Sequence, residues 1–375
     1  MRMTSSGTPG RRLLGRRLPD RRVLGLGAAL AASGILLVMP APAQKPATPE
    51  PVPAAVAWPK ARTSTIPATL PDGSTYSPKL FLDARSSIGT APSPDGKWLR
   101  LVRRAPDASI QQLRRLPSSQ HPFFGNIATA GQILAWAENT GTGHPRLWTI
   151  DLGDRRPARQ VTADTGNASL NDSQFSLTIT DGRLNWVSAD PKRVDVTQVR
   201  SVALTGGPVA VRPENGTWEW SSWPWLVNGV TRPGGSTQLR NLQTKQEIAI
   251  HRTAGLQTTR CSPTWCRVIA LTADGGSHID VMHPDGTGRK RIAGTGAQPA
   301  ISDVVPLERF EVVAQAGPNS DLTRNAQLIV VEIATRQKIE LSRDAANVFY
   351  AGGVLWWSNG TQDAVNWHTI DLRTV

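Results

Sequence analysis

Residue types that carry chemistry or cross-links are scarce in this chain of 375 residues, which has two cysteines, two tyrosines, four methionines and six histidines. Two cysteines exclude a disulfide-rich scaffold. No two histidines have a metal-ligand spacing such as His-x-x-x-His, and no Gly-x-Ser-x-Gly marks a hydrolase nucleophile. We therefore predict no catalytic residue, metal site or cofactor, although side chains from distant segments can still converge on a site.

Long apolar runs and helical periodicity are also missing. The longest uncharged, mostly apolar stretch covers residues 23–39, slightly short of the ~20 residues of a spanning helix. No window keeps an apolar period of 3.6 residues, so we expect very little helix.

Residues 1–43 are typical of an export signal. Seven arginines precede the apolar stretch, and Ala41-Pro42-Ala43 offers a small-x-small cleavage site. A cleaved signal is favoured, with an uncleaved N-terminal membrane anchor as the alternative, and either places the rest of the chain outside the cytoplasm. Arg21-Arg22 resembles a twin-arginine export signal, but an arginine-rich segment also contains such pairs by chance, so the export route stays open.

Residues 44–76 contain many prolines, with alanines and threonines between them. We expect this segment to be an extended, semi-rigid linker that neither pairs as a sheet nor forms a helix.

The formal net charge is +13, and +7 of it remains on the 332 residues after position 43. This excess is compatible with an anionic wall polymer or a membrane surface as partner, although it more often only keeps a protein soluble. Nucleic acid is not expected, because no recognition helix is visible and export removes the usual partner.

A repeat of about 43 residues indicates the fold. Two apolar residues three positions apart, usually followed by a turn, recur seven times, at Ile110/Leu113, Leu147/Ile150, Val199/Val202, Leu239/Leu242, Ile279/Met282, Leu328/Val331 and Trp367/Ile370. About 40–45 residues is the length of a four-stranded propeller blade. We predict an all-β chain whose residues 77–375 form a single β-propeller of seven four-stranded blades, with six or eight blades as alternatives.

Each repeat also predicts a central strand ahead of the apolar pair. Four of these strands carry a tryptophan, at Trp98, Trp136, Trp186 and Trp356. The chain ends directly after the last apolar pair, so we expect the N-terminal segment at residues 79–82 to supply the missing outer strand beside residues 366–372. Pairing of the two ends would close the ring and remove its exposed edges.

Two stretches carry a family resemblance. Residues 93–99, Ser-Pro-Asp-Gly-Lys-Trp-Leu, and residues 279–290, Ile-Asp-Val-Met-His-Pro-Asp-Gly-Thr-Gly-Arg-Lys, resemble the repeats of TolB-like and WD-type propellers. The resemblance implies an exported propeller and says little about function. TolB proper has an α/β domain ahead of its propeller, and residues 44–76 are too few and too proline-rich to form one.

The two cysteines, Cys261 and Cys266, flank a Ser-Pro turn signal. Because the chain is exported, we expect them to form a disulfide across a tight hairpin. No His, Asp or Glu lies in this loop to support a metal site.

Four tryptophans form the most distinctive local group, at Trp218, Trp220, Trp223 and Trp225. Exposed indoles could stack on sugar rings or on apolar side chains of a partner, whereas buried ones would pack between blades. These residues are the candidate binding site.

We therefore predict a monomeric, extracytoplasmic, non-catalytic binding or scaffold propeller that is secreted or membrane-anchored at the cell envelope and docks a protein or an anionic wall polymer. The alternative is a propeller enzyme, a lyase or hydrolase, with its site at the central channel. Two or more His, Asp or Glu side chains converging at one mouth of the channel would favour the enzyme.

Overall fold

Short strands joined by tight turns make up most of the structure. A computed structural model describes residues 50–375, apart from residues 142, 155, 169, 171–172, 230–233, 252–254, 274, 319 and 362–363. Within this part of the chain the α-helices are single turns, α1 (Ala54–Ala57) and α2 (Ser320–Thr323). The first two strands are β1 (Val52–Pro53) and β2 (Arg62–Pro67). The expectation of very little helix is confirmed.

Five four-stranded antiparallel sheets follow one another along the chain, each with its strands paired in sequence order. The first contains β3 (Ser77–Phe81), β4 (Ser87–Pro92), β5 (Trp98–Arg104) and β6 (Ile110–Pro117). The second contains β7 (Pro122–Ala130), β8 (Ile133–Thr140), β9 (Arg146–Asp151) and β10 (Arg159–Thr162). The third contains β11 (Leu177–Thr180), β12 (Arg183–Ala189), β13 (Val196–Ala203) and β14 (Ala210–Asn215). The fourth contains β15 (Trp218–Ser222), β16 (Trp225–Asn228), β17 (Gln238–Asn241) and β18 (Glu247–Ala249). The fifth contains β19 (Gln257–Cys261), β20 (Cys266–Leu271), β21 (Ser277–Met282) and β22 (Lys290–Ala293).

The last strands form one eight-stranded sheet with β1 and β2. They are β23 (Gln298–Pro299), β24 (Phe310–Ala316), β25 (Ala326–Glu332), β26 (Lys338–Ala351), β27 (Val354–Thr361) and β28 (Ala364–Asp371). The order is β2-β28-β27-β26-β25-β24-β23, and β1 pairs with β26 in parallel. The first part of β26 pairs with β25 and its last part with β27. The register shifts between Ala346 and Phe349, where Asn347 has a φ of 45°, and such a bulge bends a strand.

The N-terminal segment pairs differently from what the sequence predicts. Strand β2, inside the segment expected to be an unpaired linker, runs antiparallel to β28 with Ser64 opposite Thr369. The sequence predicts residues 79–82 beside β28. Instead, residues 79–81 lie in β3, and β3 pairs with β4. Both expectations were wrong because residues 60–66 form a proline-free run with Thr63, Thr65 and Ile66, which suits a strand.

The repeat is one strand out of phase in the first sheet. From Leu147 onward the apolar pairs lie on the third strand of each group, or in the case of Leu242 directly after it, and most of the preceding strands carry a tryptophan, including Trp136, Trp186 and Trp356. The pair Ile110/Leu113 lies on β6, the last strand of its sheet, and Trp98 lies on β5, the third strand. Trp98 is therefore not equivalent to the other three, because apolar spacing alone does not distinguish one strand of a hairpin from its partner.

The hydrophobic core lies between neighbouring sheets. One buried cluster joins Ala135 and Leu147 of the second sheet to Leu184, Trp186 and Val202 of the third. The Trp186 indole is fully buried, and its Nε1 donates a hydrogen bond to the Thr165 carbonyl at 2.9 Å. A buried indole with a satisfied N–H adds a large apolar area without an unpaired polar group.

The first and last sheets are also in contact. The ring of Phe81 on β3 lies 5.4 Å from that of Trp356 on β27, and Thr369 Oγ1 donates to the Ala84 carbonyl at 2.7 Å. Residues 51–375 form one compact unit. The predicted signal or anchor at residues 1–43 lies outside the described residues, within which no helix has the length and apolar character to cross a membrane.

Candidate functional site

A cavity of about 690 Å³ lies where the first strands of several sheets meet. Its wall includes residues of β3, β7, β19, β23 and β26, and of the segment just before β11. A second cavity of about 210 Å³ adds residues of β15. The two cavities share six residues, which are Ser173, Gln174, Arg260, Ser302, Asp303 and Tyr350. We call the larger one the central cavity and the smaller one the side cavity.

Exposed aromatic rings are the first notable feature of the central cavity. Phe123 is 49% exposed and Phe349 is 44% exposed, although large apolar side chains are usually buried. Phe349 is held by stacking on Trp356, with ring centroids 5.7 Å apart and planes 24° apart. The Lys79 ammonium lies 5.7 Å from the centroid of the Phe123 ring, within the range of a cation–π interaction.

Gly125 fixes the position of the Phe123 ring. A Cβ added at Gly125 would overlap the Phe123 ring, so only glycine lets this ring lie against the β7 backbone. The local sequence Phe-Phe-Gly at positions 123–125 therefore determines where this aromatic ring lies in the cavity wall.

Ionisable side chains give the cavity its electrostatics. Lys79 on β3 and Arg260 on β19 are exposed at the wall, and Asp303 lies between β23 and β24. Loss of hydration lowers the pKa of Lys79. Burial raises the pKa of Asp303, opposed by a hydrogen bond to Gln174 and by the charges of Arg267 and Arg260.

Tyr350 lines both cavities. Its pKa is raised well above the usual value, mainly by burial and then by the nearby negative charge of Asp303. The phenol is therefore neutral at physiological pH and can serve as a hydrogen-bond donor or acceptor.

A buried ion pair holds the segment that carries Asp303. Arg267 Nε donates to Glu311 Oε1 at 2.5 Å, and the two side chains are 3% and 0% exposed. Arg267 Nη1 also donates to the Ile301 carbonyl at 3.0 Å, and Nη2 donates to the Asp303 carbonyl at 2.5 Å. The guanidinium of the fifth sheet therefore fixes the backbone of residues 301–303 beside both cavities.

Gln174 connects distant parts of the cavity wall. Its Oε1 accepts a hydrogen bond from the Gly352 N–H at 2.8 Å, and its side chain is also hydrogen-bonded to Asp303. Asn126 Nδ2 donates to the neighbouring Ser173 carbonyl at 3.1 Å. The segment before β11 is thus held between β7, the turn after β26 and the Asp303 loop.

Three carboxylates line the side cavity, namely Glu219, Asp303 and Glu308. Glu308 Oε1 accepts a hydrogen bond from Thr264 Oγ1 at 2.9 Å. Serine hydroxyls and Tyr350 line the same space. Several carboxylates of the described residues thus line one cavity.

The predicted tryptophan site is mostly buried. Trp218 and Trp220 are each 4% exposed, whereas Trp223 and Trp225 are partly buried. Trp218 Nε1 donates to the Asn215 carbonyl at 2.7 Å. The indole rings of Trp220 and Trp223 lie 5.2 Å apart, and the Trp223–Pro224 peptide bond is cis. Of the four, only Trp220 lines one of the two cavities.

Cys261 and Cys266 are opposite each other at the end of the β19–β20 hairpin and form a disulfide in the structure. Among the described residues, no group of three or more His, Cys, Asp or Glu side chains is arranged to hold a metal ion.

Sequence reasoning missed the residues that line the central cavity. The sequence predicts ring closure at Lys79, and no motif marks Phe123, Arg260, Asp303 or Tyr350. The sequence signal that could have found them is polar or aromatic residues on the first strand of each repeat, but the first strand is recognisable only once the phase of the repeat is known.

No family model and no curated protein matches the chain. Among solved structures, an uncharacterised protein from Listeria monocytogenes aligns with 9% identity and a TM-score of 0.48, over 80% of this chain and 92% of that one. The β-propeller domain of the trilobed protease from Pyrococcus furiosus aligns with 9% identity and a TM-score of 0.44, over 66% and 82%. TolB from Acinetobacter baumannii aligns with 11% identity and a TM-score of 0.31, over 75% and 55%. The similar structures thus include a TolB protein and another propeller. The strand order of this chain, consecutive four-stranded antiparallel sheets, is that of a propeller.

Proposed function

We propose that this chain is an extracytoplasmic, non-catalytic binding propeller whose ligand binds in the central cavity. The observation that carries the proposal is the cavity itself, with two exposed phenylalanine rings and two exposed cations in its wall. A pre-formed concave site of several hundred Å³ with apolar surface and a few polar groups is typical of ligand binding.

We further infer seven blades. The five separate sheets supply five of them, and the bulge at residues 346–349 of β26 divides the eight-stranded sheet into two more. The first strand of all seven groups, or the segment just before it, contributes to one or both cavities, as a radial arrangement requires. Pairing of β2 with β28 supports a ring whose ends are joined by the N-terminal segment.

The extracytoplasmic location is supported by residues 1–43, which have the features of an export signal, and by the disulfide, which persists in oxidising compartments. Fractionation of the host cell with N-terminal sequencing of the processed chain tests this part. Recovery in the cytoplasm with an intact N-terminus would contradict it.

The partner proposed from the sequence was a protein or an anionic wall polymer. The central cavity is large enough for a side chain, a terminal group of a polymer or a free small molecule. Its exposed cations favour a ligand group with a negative charge. Of the four tryptophans, Trp218 and Trp220 are buried and contribute to packing. We therefore propose the mouth of the central cavity as the contact surface.

A retention experiment tests binding against catalysis. The protein from its own host's envelope is incubated with an envelope extract, desalted and analysed by native mass spectrometry. We expect one bound ligand, and its mass should be unchanged when it is released after long incubation. The affinity for this ligand should be at least tenfold lower in Phe123→Ala. Val194→Ala, which changes a side chain 97% exposed and outside both cavities, is the matched control. Absence of any adduct would contradict the proposal.

The side cavity favours a second candidate, a hydrolase or lyase. Its observation is the convergence of Glu219, Asp303 and Glu308 beside Tyr350, because carboxylates in different surroundings can divide acid and base roles. If the chain is such an enzyme, incubation with the same envelope extract yields a product whose mass differs from that of the substrate. The wild type and Val194→Ala should form this product, whereas Asp303→Asn should not.

A further inference from the structure

We propose that the central cavity binds an organic anion that carries a flat apolar ring. This inference rests on the proposed binding function and names the chemical class of the ligand. Its basis is the juxtaposition of exposed cations and exposed aromatic rings in one wall.

The charge of the wall selects an anion. The charged side chains lining the central cavity are Lys79, Arg260, Arg267 and Asp303. The buried Glu311 neutralises Arg267, so the described residues of the wall have a formal net charge of +1. Among the described residues, neither the Lys79 ammonium nor the Arg260 guanidinium donates a hydrogen bond, so both side chains have donors available to a ligand.

Asp303 is the only carboxylate among the described lining residues, and its charge is already included in that net charge. Asp303 is hydrogen-bonded to Gln174 and lies near the positive charges of Arg260 and Arg267. The cation farther along the wall, Lys79, lies on β3 and has no such acidic neighbour among the pairs that the described residues form.

The exposed rings select the apolar part of the ligand. The Phe123 ring adjoins the Lys79 ammonium, and Phe349, which also lines the cavity, is stacked on the buried Trp356 indole. A ligand ring that covered both phenylalanines would remove apolar surface worth about 25 cal/mol per Å² from water. A cation beside an aromatic face therefore suits a molecule whose charge and ring are close together.

Two buried polar atoms of the same wall are unpaired within the described part of the chain. Asn126 Oδ1 and Thr259 Oγ1 have no hydrogen-bond partner among the described residues. Buried polar atoms normally have partners, so the polar groups of this wall are not all paired within the described protein. The volume of about 690 Å³ lies within the range of small-molecule sites.

Loss of hydration at Lys79 supports the same inference. Desolvation at the cavity wall lowers the pKa of Lys79, and a bound anion would favour the charged form.

Two dyes with one ring system test the proposal. The probes are 1-anilinonaphthalene-8-sulfonate, an anion, and N-phenyl-1-naphthylamine, which lacks the sulfonate and is neutral. Fluorescence titration of the wild type should give one site per chain and at least a tenfold lower Kd for the anion. The double variant Lys79→Gln/Arg260→Gln should lose this preference while binding the neutral dye as before.

Matched controls separate the site from general charge. Lys97→Gln and Arg336→Gln change exposed cations outside both cavities, and the tenfold preference should remain in this double variant. Phe123→Ala should weaken both dyes, because it removes the ring contact.

The outcomes are distinct. Equal affinities of the two dyes, both weakened in Phe123→Ala, would overturn the choice of an anion and leave the proposed binding function intact. A preference for the sulfonate that survives Lys79→Gln/Arg260→Gln would overturn the assignment to this cavity. Failure of either dye to bind at one site per chain would overturn the whole inference, whereas the proposed function fails separately if the envelope extract yields no adduct.

Discussion

The single residues with the largest expected effects on stability are buried charged residues and residues that support the cavity wall. Asp303 does both, since its side chain faces the cavities and its backbone carbonyl accepts from Arg267. Arg267 in turn has no water contact to compensate for a lost partner, because its side chain is 3% exposed. Substitutions at these two positions therefore give measurable effects on stability.

Asp303→Asn should become more stable relative to the wild type as pH rises from 4 to 7. The pKa of Asp303 is raised in the folded state, so its contribution to stability is fully present below its unfolded pKa and is lost as pH rises through the folded pKa. Asparagine does not titrate, so the difference in the free energy of unfolding between the variant and the wild type isolates this group. Urea denaturation at several pH values measures it. A difference that is constant with pH, or that reverses, would contradict the assignment.

The Arg267–Glu311 pair should show strong coupling. Arg267→Met removes the main donor of the buried Glu311 carboxylate and the donor of the Ile301, Ser302 and Asp303 carbonyls. It should lower the free energy of unfolding by about 3–5 kcal/mol. Glu311→Leu leaves the opposite charge unpaired and should have a similar effect. The loss in the free energy of unfolding of the double variant should be smaller than the sum of the two single losses by at least about 1 kcal/mol. Urea denaturation of all four proteins measures these losses. Additive losses would show that the pair does not act as a unit.

At the scale of secondary structure elements, two strands have unusual roles. Strand β26 is long enough to serve as the last strand of one group and the first strand of the next, with the bulge at Asn347 between the two parts. Strand β2 lies at the edge of its sheet, where a proline at its end is tolerated because an edge strand has one unpaired side.

The position of a proline in β2 should decide its effect. Ala68 N–H donates to the Val365 carbonyl, so in an antiparallel ladder the alternate residues Ile66 and Ser64 direct their N–H groups to β28, whereas Thr63 directs its N–H away. Ser64→Pro should lower the free energy of unfolding by about 1–3 kcal/mol through a lost ladder bond. Thr63→Pro, the matched control, should change it by less than about 0.5 kcal/mol. Equal effects of the two variants would contradict the observed register.

For the whole molecule, the contact between the two ends is the feature that joins the last sheet to the N-terminal segment. Phe81 packs on Trp356, Trp367 Nε1 donates to the Tyr76 carbonyl at 3.2 Å, and β2 covers the edge of β28. Loss of β2 would expose a row of unpaired N–H and C=O groups on β28.

Two truncations test this role of the N-terminal segment. A chain that starts at residue 51 keeps β1 and β2 and should unfold in one transition with an unchanged midpoint relative to the processed protein. A chain that starts at residue 69 lacks both strands and should unfold at a temperature several degrees lower and associate through the exposed edge. Thermal unfolding followed by circular dichroism and size-exclusion chromatography give the two readouts. Identical midpoints would show that β2 contributes nothing to the stability of the folded chain.

The sequence by itself determined the all-β character, the repeat of about 43 residues and the Cys261–Cys266 hairpin, because apolar spacing, turn residues and short sequence separation are local signals. The local signals did not determine the phase of the repeat in the first sheet, where Trp98 lies on the third strand, nor the strand that covers β28, because several short β-branched runs satisfy the same pattern. Only the tertiary structure decided which side chains share the central cavity. Lys79, Phe123 and Arg260 are up to 181 residues apart in the sequence and meet only because the first strands of different sheets converge on one space.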